Sequence, residues 1–161
     1  MLKKELKHVK FLSKQLSKKK KKSRSRQIAK TKLQTFHKKI KDKRKDFLHK
    51  LSTKLVKNHD KIVVESLNVK SMLQKAPRAL ARSISDAGWA EFLEQLKYKC
   101  EYSFKILEKA EKFFPSSQKC SRCGNLQKMK LTDRMYNCSC GLKIHRDHNS
   151  SINLRAVGTT G

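Results

Sequence analysis

The sequence predicts an α+β fold: a basic helical hairpin at the front, then a mixed body with a cysteine-rich insert near its end. Three observations predict it. Apolar residues recur at helical spacing through the first sixty positions, a run of β-branched residues follows, and four of the five cysteines fall within twenty-one residues.

Leu2, Leu6, Val9, Leu12 and Leu16 lie three or four positions apart, which predicts an amphipathic helix over 2–17. The run Lys18 to Lys22, followed by Ser-Arg-Ser-Arg, breaks that stripe and reads as an exposed turn. A second helix is expected from Ile28, Leu33, Phe36, Ile40, Phe47, Leu51 and Leu55, whose phase drifts along its length. Two antiparallel helices joined by a Lys-rich tip fit this pattern. The tip is either a solvated turn or a phosphate-binding surface, and the residues alone leave both open.

Lys61-Ile-Val-Val-Glu-Ser-Leu-Asn68 reads as a strand buried on both faces that delivers a carboxylate, Glu65, at its end. Pro77 then interrupts, in what is expected to be a polar, basic connector. Trp89, Phe92, Leu93, Leu96 and Cys100 form a helical stripe with Ser85 or Asp86 as its expected N-cap. Cys100 lies on that stripe, so a buried thiol is expected rather than a reactive one. Ile106 to Phe114 reads as a strand ending at Pro115, and Asp147 to Val157 as a short final helix.

Charge narrows the function. Forty-one Lys and Arg stand against thirteen Asp and Glu, a formal net charge of +28. Residues 1–60 hold twenty-three of the cations against four acids, a net +19, and residues 61–161 the remaining +9. Such an excess repels itself, and a polyanion relieves the repulsion while releasing its own counterions. No apolar run approaches the roughly eighteen residues of a membrane span. The start, Met1-Leu-Lys-Lys-Glu, lacks the apolar stretch and cleavage site of a secretory signal, so a cytoplasmic protein is expected. The Lys-rich faces carry no Trp or Phe clusters opposite them, which disfavours a lipid surface. DNA or RNA is the expected partner.

Cys120-Ser-Arg-Cys123-Gly124 has the spacing of a zinc knuckle, with Gly supplying the tight turn, and Cys138-Ser-Cys140-Gly141 follows after fourteen residues. Without a secretory signal, four clustered cysteines point to metal before disulfides. Four thiolates suit a closed, structural Zn²⁺ site. The second pair is one residue shorter than the usual spacing, which leaves His145 as a possible substitute for Cys140. Such a ribbon would also present Arg122, Lys128, Lys130 and Arg134 on a fixed frame.

These phrases together resemble a known family. Ile62-Val-Val-Glu-Ser-Leu-Asn-Val-Lys-Ser-Met72 is similar to the second RuvC motif of the TnpB (OrfB) proteins of bacterial insertion sequences. Phe114-Pro-Ser-Ser-Gln-Lys-Cys-Ser-Arg-Cys-Gly124 resembles the entry to their zinc ribbon. Cys138-Ser-Cys-Gly-Leu-Lys-Ile-His-Arg-Asp-His-Asn-Ser-Ser-Ile-Asn-Leu154 resembles the ribbon's exit and the third RuvC motif, and Lys45 to Leu55 fits the helix ahead of motif two.

The resemblance implies an RNase H-like (RuvC) nuclease, related to miniature type V CRISPR effectors, that binds a guide RNA and cuts DNA. Older descriptions call such proteins transposases. In the family, three carboxylates hold two divalent ions, usually Mg²⁺, which activate water and steady the leaving oxygen. Glu65 matches the second carboxylate and Asp147 the third. Without the resemblance, Glu65 would read as a strand-end residue and Asp147 as an ordinary N-cap.

The family's first catalytic Asp lies on an early apolar strand followed by Gly. The acids upstream of Glu65 are Glu5, Asp42, Asp46 and Asp60, none in such a context, and no Gly precedes Gly88. The first motif is therefore expected to be missing, either encoded upstream as a separate N-terminal half or lost by erosion, and the RuvC fold to be incomplete. The expected organisation is a basic helical region at 1–60, a partial RuvC-like domain at 61–114, a zinc ribbon at 115–145, and a motif-three helix and tail at 146–161. A chain so built is expected not to cut DNA by itself. The competing reading is a stand-alone zinc-ribbon RNA- or DNA-binding module without catalysis.

Overall fold

The computed structural model describes residues 2–130 and 132–157. The tail at 158–161 lies outside them, and so does the side chain of the expected stripe residue Leu2. The chain divides into two compact units, one ending at Leu51 and one beginning at Ser52.

The first unit is a helical hairpin. Helix α1 runs Leu2–Ser17, as its leucine spacing predicts, and α2 runs Arg24–Asn58, its last turns belonging to the second unit. Pairs across the hairpin run antiparallel. Lys43 meets Glu5 at 2.8 Å, His8 packs at a tilt against Phe36 with centroids 4.4 Å apart, and Arg26 Nη1 donates to the Leu16 carbonyl at 3.0 Å. The same guanidinium donates to the Lys19 carbonyl, closing the lysine-rich turn. Ser23 caps α2 by accepting from the Arg26 N–H at 3.2 Å. The phase drift of α2 has a cost: Ile28 and Phe47, expected on its apolar stripe, are 51% and 60% exposed.

The second unit is built on a parallel pair of strands, β1 (Lys61–Val64) and β2 (Ile106–Lys109), in the register Lys61 to Ile106 and Val64 to Lys109. Parallel strands need a crossover, here made of helices. These are α3 (Val69–Lys75), α4 (Arg78–Asp86) and α5 (Trp89–Tyr102). Val56, Ile62, Val64, Leu96 and Cys100 form the core, with Leu55, Phe92, Leu93 and Leu107 packed against it. Lys105 ties the C-terminal end of α2 to this core by donating to the Val56 carbonyl at 2.6 Å. A second small sheet pairs β3 (Met135–Asn137) antiparallel with β4 (Lys143–His145), and α6 (Arg146–Val157) ends the described chain.

Four expectations need correction. The segment after Pro77 is helical, with Pro77 itself the N-cap of α4, a position that wastes no backbone donor. Ser85 and Asp86 lie inside α4, and the N-cap of α5 is Gly88, whose φ of +64° makes the bend between the two helices. Strand β1 alternates instead of being buried throughout: Ile62 and Val64 enter the core while Val63 is half-buried. Strand β2 stops at Lys109, because a turn over Glu111 to Phe114 takes the chain out of the sheet.

Candidate functional site

Strand β1 ends at Val64, so the register with β2 fixes where Glu65 emerges. Its Oε1 accepts hydrogen bonds from Ser116 Oγ at 2.8 Å and from Ser150 Oγ at 3.4 Å. Ser116 is buried in the entry to the cysteine segment, and Ser150 is buried on α6. Asp147 stands in the first turn of α6, three residues before Ser150 and so on the same flank of the helix. Glu65, Asp147, Arg146 and Ser150 line one cleft of about 550 Å³, floored by Val63, Val64 and Leu154. Two carboxylates far apart in sequence thus share a wall. Among the described residues they are the only acids lining it.

The surroundings of the two acids differ. Glu65 is half-buried and held by two hydroxyls, whereas the Asp147 side chain is 68% exposed. Its carboxylate lies 3.7 Å from Arg146 Nε and 3.9 Å from His145 Nδ1.

The cysteine cluster is assembled by two turns. The first is held by the Lys119–Leu126 bridge, with Cys120 N–H donating to Asn125 O at 2.8 Å and Gly124 N–H to Cys120 O at 2.9 Å. The second sits at the end of the β3–β4 hairpin, with Cys138 N–H donating to Leu142 O and Gly141 N–H to Cys138 O. Gly124 and Gly141 have φ of +77° and +86°, the left-handed region that each knuckle requires. Beneath them Tyr136 is fully buried, and its hydroxyl donates to the Gln118 and Asn125 carbonyls at 3.1 Å each. The packing around it (Met129, Leu142, Ile144) makes a second small core.

All four Sγ atoms lie within 4.8 Å of one another. Cys120 and Cys140 approach to 3.7 Å, and Cys123 and Cys138 to 3.5 Å. A tetrahedral ion with Zn–S bonds of about 2.3 Å needs sulfurs roughly 3.8 Å apart. The donor set fits such an ion in number, chemistry and spacing. The thiols share their protons unevenly: hydrogen bonding from the Cys140 backbone N–H pulls the Cys138 thiol down to about 6, while at Cys123 the pull of the Asn125 backbone N–H is outweighed by the neighbouring thiols and burial, which push it up to about 12. The shortened second pair does reach the cluster through Cys140. His145 is turned away from it, its Nδ1 accepting from the Asp147 N–H at 3.3 Å.

Cys100 lies apart, 1% exposed on α5, and burial pushes its thiol up, against the pull of Lys105.

Residues missed by sequence reasoning join the two sites. Asn149 and Asn153, one turn apart on α6, are buried. Asn149 accepts from the Ser121 N–H at 3.0 Å and donates to the Lys119 carbonyl at 2.7 Å. Asn153 donates to the Ser116 and Lys119 carbonyls at 2.8 and 2.7 Å. Asn149 and Asn153 therefore clamp the helix carrying Asp147 onto the turn segment that opens the cysteine cluster, and Ser116 and Ser150 tie both to Glu65. The signal available in the sequence was a helix with two asparagines at i, i+4 spacing and almost no apolar stripe.

Residues 1–76 match the family described as "Probable transposase" (OrfB of the IS605 type), and residues 89–154 match "Cas12f1-like, TNB domain". The chain is 41% identical over 144 residues to a protein of Streptomyces pristinaespiralis named "Putative RNA-guided DNA endonuclease", a match covering 89% of this chain and 35% of that protein. A TnpB-like protein of Acanthamoeba polyphaga mimivirus is 32% identical over 132 residues, covering 78% of this chain and 25% of its own length. The chain belongs to the TnpB/OrfB family. A further TnpB/OrfB relative, from Escherichia coli K12 and also named "Putative RNA-guided DNA endonuclease", is 34% identical over 163 residues and covers 91% of this chain. This TnpB/OrfB chain thus spans between a quarter and two fifths of the length of these relatives (25%, 35% and 40%). Its fold is similar to that of the Cas12f1 chain in the cryo-EM structure of the Cas12f1–sgRNA–target DNA complex, with a TM-score of 0.58 at 18% identity over 92% of this chain and 41% of the other. Among the described residues no helix is long and apolar enough to cross a membrane.

Proposed function

We propose that this chain is the nucleic-acid-binding portion, with part of the active site, of an RNA-guided DNA endonuclease. The observation that carries the proposal is the common cleft of Glu65 and Asp147, brought together by β1 and α6 beside the cysteine cluster. In this reading the second unit is an incomplete RNase H-like (RuvC) fold, and the cysteine segment is a ribbon inserted between its second and third motifs. Cys120, Cys123, Cys138 and Cys140 hold a structural Zn²⁺ that adds folding energy to the small core around Tyr136. Guide-type RNA and DNA are the partners, and the net charge of +28 supports both.

Glu65 and Asp147 are two of the three carboxylates that hold Mg²⁺ in the complete site; oxygen donors suit that ion. The divalent ions of such a site supply activated water and charge stabilisation at the leaving oxygen. This chain's own contribution is positional. Ser116 and Ser150 fix the Glu65 carboxylate, and the Asn149–Asn153 clamp fixes the helix that carries Asp147. The third carboxylate comes from a segment outside this chain, such as an N-terminal half encoded upstream. Two carboxylates bind and place divalent ions poorly, so the chain alone binds nucleic acid without cutting it.

The test is to incubate the purified chain with Mg²⁺, RNA derived from the end of its element and matching DNA. The expected result is a retained complex and intact DNA. Cleavage that disappears in Glu65→Ala would overturn the assignment of inactivity. A stand-alone zinc-ribbon RNA- or DNA-binding module is the second reading, favoured by the Asp147 carboxylate, which faces Arg146 and His145. Supplying an upstream half in trans separates the two: restored cleavage supports the split nuclease, and none supports the module.

A further inference from the structure

Two aromatic residues of the second unit adopt backbone conformations that bulky side chains rarely take. Phe104 has φ +52° and Phe113 has φ +67°, and their residues are 98% and 97% exposed. In this region Cβ crowds the following carbonyl, at a cost of about 1–2 kcal/mol. Phe104 has a structural account. It follows α5, where Lys105 N–H donates to Cys100 O at 2.8 Å and Phe104 N–H to Glu101 O at 3.2 Å, the paired bonds of a Schellman ending, which requires a left-handed residue.

Phe113 has only a tight turn to explain it. Phe114 N–H donates to Glu111 O at 3.2 Å, with Lys112 and Phe113 between them. A positive φ at the third position of such a turn is the place of glycine. Glycine there would remove the strain, and the ring of Phe113 buries nothing in return. The side chain therefore has no stabilising task within this chain.

Its surroundings suggest a task outside it. Ala110 N–H donates to Val64 O, so the chain leaves β2 beside the point where β1 delivers Glu65. Three residues after Phe113, Ser116 donates to the Glu65 carboxylate. Lys109 and Lys112 on the same segment are exposed, and Lys119 Nζ stands 6.0 Å from the centroid of the Phe114 ring. A protein partner would want a contiguous exposed apolar patch, whereas on this turn Glu111 and Lys112 are exposed and Phe114 is half-buried. An exposed flat ring on a segment that also carries exposed Lys109 and Lys112, in a chain of net charge +28, suits a nucleobase with its phosphates.

We propose that Phe113 is a stacking platform for one base of a single-stranded nucleic acid beside the Glu65 end of the cleft, with Lys109 and Lys112 taking its phosphates. The proposal rests on the nucleic-acid reading above and adds a strand state and a residue to it.

The experiment titrates the full chain with 2-aminopurine-labelled single strands and with a duplex of equal length. Phe113→Gly relieves the strain, so its thermal midpoint should hold or rise. Its affinity for the single strand should fall roughly 5- to 100-fold, the loss of one stacked base. Duplex affinity and the salt dependence should not move, and Phe113→Trp should retain both affinity and quenching of the label. Phe104→Gly, the matched change at the other end of β2, should bind as the wild type does. Equal single-strand affinity of wild type and Phe113→Gly overturns the platform and leaves the nucleic-acid reading standing, and an equal loss on duplex overturns it too. A wild-type chain that binds no nucleic acid sinks the broader reading, and the platform with it.

Discussion

At the scale of residues, the cleft is organised by groups that bear no charge. Ser116 is buried, donates to Glu65, and offers its own carbonyl to Asn153. Ser116→Ala removes one donor to a carboxylate and should destabilise the chain by about 1–2 kcal/mol, read as a lower urea midpoint with an unchanged m-value. Asn153→Ala should cost more, about 2–3 kcal/mol, because it leaves the Ser116 and Lys119 carbonyls without their donor. An Asn153→Ala midpoint above that of Ser116→Ala would show that the clamp carries less than its geometry suggests. None of this was legible beforehand, for a physical reason. Glu65 and Asp147 stand out only because the phrases around them resemble known motifs, whereas a serine's role depends on which distant atom it meets. Cys100 was legible, since its place on the Trp89–Leu96 stripe predicts burial. With the four-cysteine cluster loaded with zinc, a thiol reagent should find almost no reactive cysteine. After chelation four should react quickly, and Cys100 only on unfolding, because burial removes access and holds the thiol protonated.

Among elements, strength of pattern decided what could be read ahead. Helix α1 and the start of α6 emerged within a residue of expectation because apolar spacing and a polar helix start mark them. The α4–α5 boundary did not, since its stop signal is the left-handed Gly88, while Ser85 and Asp86 imitate a cap inside a helix. Strand β2 was read too long because Phe113 and Phe114 look like strand residues, yet the turn at Glu111 removes them from the sheet. The cysteine segment was the most legible element, and its open question was the fourth ligand. Here the β3–β4 hairpin brings Cys140 to 3.7 Å from Cys120 and keeps His145 on Asp147. Cys140→Ala should therefore release zinc and unfold the ribbon, whereas His145→Ala should keep one zinc per chain by metal analysis. The reverse pattern would transfer the ligand role to His145.

At the scale of the molecule, charge and chemistry are divided between the two units. The second unit holds the cleft and the cysteine cluster, while residues 1–60 carry a net +19, much of it on a hairpin whose buried face is narrow. Lys18 to Lys22 are all exposed on a turn that Arg26 and Ser23 hold shut from the backbone side. Five lysines on a braced turn have two possible roles, which composition cannot separate: a solvated tip that keeps the hairpin soluble, or a surface that neutralises phosphates. The two differ in how binding responds to salt. Each phosphate contact on duplex DNA contributes about 0.9 to the slope of log K against log salt concentration, because each one releases condensed counterions. If the tip binds phosphates, replacing Lys18 to Lys22 by Ala should flatten that slope by up to about 4.5 and weaken binding to all sequences alike. The fold should hold, because none of the five side chains is buried. A slope unchanged in the variant would assign the tip to solvent and move the phosphate contacts to the rest of α1 and α2, whose lysines would be the next to replace.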